Sequence, residues 1–167
     1  MTSPSVQCYI DFKSPYAYLA VGPARKLEHE TGIQFDWLPY TLDIPSYLGD
    51  ASVDPQGNVI AQNRNAHQWR RVKYSYMDCR RAANSQGLNI RGPQKIFDSS
   101  LANIGLIFAK AAGIEQSYID TVFVRFWTRE LDIEDIDVVS NVLSECGAKA
   151  EDFSSFALGQ GRKQLLN

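Results

Sequence analysis

The chain has 167 residues, 44% of them hydrophobic and 22% charged, with a formal net charge of -2 and a pI near 5.7. That is room for one globular domain, or for one domain carrying a large insertion. The slightly acidic balance argues against nucleic acid or an anionic membrane as an obligate partner, and no apolar run approaches the roughly 20 residues of a spanning helix.

The N-terminus has no basic region followed by an apolar stretch, so a cytoplasmic location is the expectation. Cys8, Cys79 and Cys146 lie far apart and form neither a Cys-x-x-Cys nor a metal pattern. They read as small buried hydrophobes. His29 and His67 are too few and too distant to suggest a metal site.

In Val6–Phe12 apolar residues alternate with Gln7, Tyr9 and Asp11, the period of a strand with one face buried. The run continues through Lys13-Ser14-Pro15-Tyr16. Pro15 suits the first turn of a helix, where a missing N–H costs nothing. Ser14 therefore stands at the unpaired N–H groups and positive dipole end of that helix, a place for an anion or a thiolate. Ser is equally a preferred helix N-cap, and both readings stand.

The helix ends at Gly32, and Ile33–Leu38 alternates again and stops at Pro39. Strand, helix and strand in some forty residues make two parallel strands with a right-handed crossover. Thr41 to Asn65 reads as a loop, with turn chemistry at Asp54-Pro55-Gln56-Gly57. Trp69, Val72, Tyr76, Cys79 and Ala83 then share one helix face between about Ala66 and Gln86. This face reads as core. Further helices follow Ser99 or Ser100, run through Tyr118–Phe126, open at Asp135, and occupy Glu151–Ala157.

The strand–Ser14-Pro15-Tyr16–helix start resembles the 2-hydroxychromene-2-carboxylate isomerase and kappa-class glutathione transferase branch of the DsbA-like thioredoxin superfamily. The implied fold is α/β, a thioredoxin-like β-α-β start with a large all-helical insertion domain. On that reading residues 1–42 are the β-α-β half, 43–157 the insertion, and 158–167 the start of a helix returning to the thioredoxin-like domain. The C-terminal β-β-α of the family's fold is missing from the chain. The expectation is a shortened form of the fold, or completion by a second copy as a homodimer, because an unpaired strand edge invites strand addition.

The resemblance also implies chemistry. Disulfide oxidoreductases of the superfamily carry Cys-x-x-Cys where this chain has Lys13-Ser14-Pro15-Tyr16, so dithiol chemistry is opposed. In the isomerase branch the serine is catalytic and holds the thiolate of bound glutathione, a role that falls to Ser14. Arg71-Val72-Lys73-Tyr74 through Asp78 and Arg81 is similar to the family's Lys-x-x-Tyr-x-x-x-Asp-x-x-Arg pattern, with Arg71 in place of the lysine that helps bind the glutathione carboxylates. Arginine keeps the charge but changes reach and geometry. Tyr74, Asp78 and Arg81 also read as a salt-bridged, solvated helix face. Lys13 is a candidate for holding a thiolate or a substrate carboxylate, or an exposed strand-end lysine.

The expected function is a glutathione-dependent isomerase or transferase-like enzyme of aromatic catabolism. Its cofactor is glutathione and its partner ligand a small aromatic or unsaturated carboxylate. The alternatives are a truncated, non-catalytic thioredoxin-like binding protein and a DsbA-type oxidoreductase. Arg64, Arg70, Arg71, Lys73, Arg80 and Arg81 form the only basic concentration in the chain. An acidic small ligand suits it better than a polyanion. Trp37-Leu38-Pro39-Tyr40 is the stretch that the family places near the substrate cleft, yet Trp37 reads as sheet core and Pro39 as a strand terminator.

Overall fold

A computed structural model describes residues 5–166. Strand β1 (Ser5–Ile10), helix α1 (Pro15–Thr31) and strand β2 (Gln34–Pro39) form the expected crossover, with β1 and β2 parallel and Ser5 opposite Gln34. Ser14 caps α1, its side-chain oxygen accepting from the Ala17 amide at 3.2 Å. Gly32 ends the helix at φ 74, a left-handed turn that glycine adopts without a Cβ clash. Among the described residues β1 pairs with β2 alone.

The segment after β2 is rich in helix, as the sequence suggests, but it does not begin as a bare loop. A short helix α2 (Ile44–Leu48) leads into a hairpin of β3 (Ala51–Val53) and β4 (Val59–Gln62), paired antiparallel. The hairpin turns at Asp54–Gly57, where the Gly57 amide donates to the Asp54 carbonyl at 3.0 Å. Strands of three and four residues are too short to establish an alternation, so only the turn was legible.

Five longer or intermediate helices and a terminal turn complete the chain: α3 (Ala66–Ser85), α4 (Ser100–Ala111), α5 (Glu115–Trp127), α6 (Ile136–Glu145), α7 (Phe153–Leu158) and α8 (Gln160–Leu165). Asn65 and Gln68 close a capping box at the start of α3, and Asp135 caps α6 through the amides of Asp137 and Val138.

The core ties the crossover to the helices. Phe12, fully buried just past β1, packs against Phe123 of α5 at 4.9 Å and edge-on to Tyr118 at 5.7 Å. Tyr18 of α1 stacks on the same Phe123 at 5.3 Å. Aromatic pairs of this geometry contribute about 0.5–1.5 kcal/mol beyond the area they bury. Trp37 is buried at 3% exposure, as core. The consequence for the site is rigidity, because Lys13 and Ser14 follow directly on the anchored Phe12.

Candidate active site

A cleft of about 540 Å³ opens beside the N-terminus of α1. Its wall is built from Lys13 to Tyr16, from α2 and the hairpin, from one face of α3, and from the loop Gly92–Phe97. Ser14, Lys13 and Arg71, the three residues singled out in the sequence, all line it.

Ser14 is half-buried, and its cap bond uses a lone pair of the hydroxyl oxygen rather than its proton. The O–H is thus left as a donor at the positive end of α1. Capping and ligand binding are compatible at this residue.

Lys13 is not the exposed strand-end lysine that its position allows. It is 7% exposed and pairs with Asp11, itself 2% exposed, at 3.6 Å. Asp11 also accepts from the Leu42 amide at 2.7 Å and the Lys13 amide at 3.2 Å. One buried carboxylate thereby fastens the strand–helix junction to the chain beyond β2.

Arg71 is exposed, with no hydrogen-bond or ion-pair partner among the described residues. Its charge reaches the Tyr47 phenol, whose pKa is raised by burial and by Asp11 while Arg71 opposes the rise. Tyr74, Asp78 and Arg81 behave as a solvated helix face: Arg81 bonds Asp78 at 2.7 Å and Tyr74 stays exposed. Asp78 nevertheless has a link to the site, accepting from the Tyr16 hydroxyl at 3.2 Å. Burial, then the neighbouring Cys79 and Asp78, push Tyr16 up to about 12.

The α3 face read as core is divided. Cys79 and Ala83 are buried, but Trp69, Val72 and Tyr76 line the cleft. Arg64 lies over the Trp69 ring at 5.0 Å, and Arg80 over Tyr76 at 5.6 Å. Each ring thus has a guanidinium over one of its faces. Trp37, Leu38, Pro39 and Tyr40 lie outside the lining, and its chain beyond β2 begins at Leu42.

Sequence reasoning passed over Tyr47, Lys95 and Arg129. They come from α2, the loop after α3 and the turn just past α5, and no local spacing connects them. The Gly92-Pro93 turn was visible, but not that Arg129 reaches across to donate to the Gly92 carbonyl at 2.7 Å.

The family model of the DsbA-like thioredoxin domain matches residues 5–167. The chain belongs to the DsbA-like thioredoxin domain family. Two solved structures share the DsbA-like fold. A 2-hydroxychromene-2-carboxylate isomerase aligns with TM-score 0.67 at 21% identity, over 96% of this chain and 74% of that one. A probable DsbA oxidoreductase from Streptomyces coelicolor aligns with TM-score 0.70 at 15% identity, over 97% of this chain and 71% of that one. No curated protein matches the sequence. Within this DsbA-like domain the junction that faces the cleft reads Lys13-Ser14-Pro15-Tyr16 and contains no thiol. Burial raises the pKa of both Cys8 and Cys79, which disfavours the thiolate at each.

Proposed function

We propose that this chain is a glutathione-dependent enzyme, isomerase-like or transferase-like, acting on an aromatic 2-oxo acid or a related unsaturated small molecule. The observation that carries the reading is Ser14: a hydroxyl with its proton free, at a helix N-terminus, in a cleft whose charged lining residues are all basic. Glutathione, when bound, supplies a thiol that adds reversibly to an unsaturated carbon. A free thiol ionises near pH 8.5, and a hydrogen bond from Ser14 with the α1 dipole lowers that value. Arg71 holds a carboxylate, since its guanidinium has no competing acid at ion-pair distance among the described residues. Lys13, neutralised in part by Asp11, adds a cation at the junction.

The thermal midpoint with and without glutathione tests the reading. At about a hundred times Kd, a ligand stabilises the fold by roughly 2.7 kcal/mol. For a chain of this size that is a rise of about 5–10 °C. A cooperative melt unmoved by millimolar glutathione overturns the proposal. The binding-protein reading, in which Ser14 serves only as the α1 cap, then takes its place.

A further inference from the structure

Glutathione brings two carboxylates and a thiolate and the proposed substrate a further carboxylate, yet the cleft is lined by more cations than these anions. Seven lysines and arginines line it, with no aspartate or glutamate. Lys13 and Lys95 have ion-pair partners in Asp11 and Glu134. The other five have none among the described residues. Like charges gathered between low-dielectric walls repel one another and focus their field on the cavity, a cost that an anion relieves.

Three of the five form a group. Arg80 covers the Tyr76 ring at 5.6 Å, Arg129 bonds the carbonyl of Gly92, which lies against the same ring, and Arg64 lines the same cleft. Arg64 is pinned by its Nε to the carbonyls of Leu48 and Gly49, at 3.1 and 3.3 Å, and by the Trp69 ring. Its two terminal nitrogens have no hydrogen-bond partner among the described residues, and burial lowers its pKa. This is a partly desolvated cation that makes no ion pair among the described residues, with the Asp50 carboxylate acting on it only from beyond ion-pair distance. Arg129 is held on the Gly92 carbonyl and has φ 66, the one non-glycine residue with positive φ among those described. Backbone held in that region away from glycine costs energy and clusters at functional sites.

We infer that Arg64, Arg80 and Arg129, with the rings of Trp69 and Tyr76, form a subsite for an aryl phosphate-type dianion. A carboxylate offers two oxygens and satisfies one guanidinium fork, whereas a phosphoryl group offers three oxygens and close to two charges. The adjoining rings supply an apolar face for an aromatic group. The inference goes beyond the glutathione reading and does not depend on Ser14.

Titration calorimetry at low salt with phenyl phosphate, benzoate and inorganic phosphate tests it. Phenyl phosphate binds at least tenfold more tightly than either of the others, and its affinity falls as salt is raised. Arg80→Gln, which removes one long bond to the Ile90 carbonyl at 3.4 Å and the contact over the Tyr76 ring, remains folded with a cooperative melt and loses at least tenfold in affinity. Arg64→Gln loses as much. Benzoate binding as tightly as phenyl phosphate, no heat with millimolar phenyl phosphate, or unchanged affinity in folded Arg80→Gln each overturn the inference. The wild-type ligand series decides the matter even if Arg64→Gln fails to fold. Glutathione titrated separately shows which of the two readings has failed.

Discussion

The hydroxyl of Tyr16 donates to Asp78 Oδ2 at 3.2 Å, joining residues 62 apart in the chain. The bond links the first turn of α1, which carries Ser14 at its cap, to the α3 helix that supplies Arg71. The two walls of the cleft are therefore connected beside the proposed thiolate position. Asp78 has a pKa below the usual carboxylate range, first because of Arg81 and then because of Tyr16. In Tyr16→Phe the Asp78 pKa rises toward its ordinary value, by less than it does in Arg81→Gln. Carbon-detected NMR titration measures both shifts, and the reverse order contradicts the assignment.

Ser14→Ala removes the α1 cap and the proposed thiolate donor together. The stability cost is about 1 kcal/mol, the usual value of such a cap, and the chain remains folded. Glutathione-dependent turnover is lost. A folded Ser14→Ala protein with full turnover eliminates the catalytic role, and denaturant melts give the cap term separately.

Asp11→Ala leaves Lys13 buried without its counter-ion and the Leu42 amide without its acceptor. Breaking a buried pair by removing one partner costs about 3–5 kcal/mol. Asp11→Ala with Lys13→Met together restores part of that loss, since no unpaired charge remains. Additive losses in urea unfolding contradict the coupling.

Gly105 of α4 is fixed by packing rather than by backbone conformation. A Cβ there meets the Tyr118 hydroxyl at 2.0 Å and Cζ at 2.7 Å. That hydroxyl is committed to the Ala102 carbonyl at 2.9 Å, in a fully buried position. Gly105→Ala therefore displaces the ring or bends the helix, and overpacking of this kind costs about 1–3 kcal/mol. Gly105→Ala in a Tyr118→Phe background is less damaging than in the wild type.

Alkali separates the tyrosines. Burial pushes Tyr76 up to about 12, with the arginine charges opposing it, and burial also raises Tyr118. A phenol whose pKa is raised on folding contributes stability that is complete below the unfolded value of 10 and is lost as pH climbs through the folded value. The thermal midpoint should thus decline between pH 10 and 12, with Tyr16, likewise pushed up to about 12, adding to the contribution of these two groups. Tyr76→Phe flattens part of that decline, and an identical pH profile for wild type and variant refutes the assignment.

Much of this molecule was legible along the chain because its signals are local. Alternation marked β1 and β2, Pro15 and Gly32 bracketed α1, and three- and four-residue spacing marked α3, each a consequence of backbone period or of one residue's allowed φ. Ser14 was visible locally as a helix-start residue, but its catalytic role, like the interest of Arg71, came from the resemblance to a family pattern. Tertiary structure alone decided that the Trp69–Tyr76 half of the α3 face borders a cavity, because apolar spacing records a shared face without recording what covers it. Folding also turned Lys13 inward onto Asp11 and brought Arg129 against Gly92. Those relations depend on charge and packing between segments tens of residues apart, and no pattern within one segment encodes them.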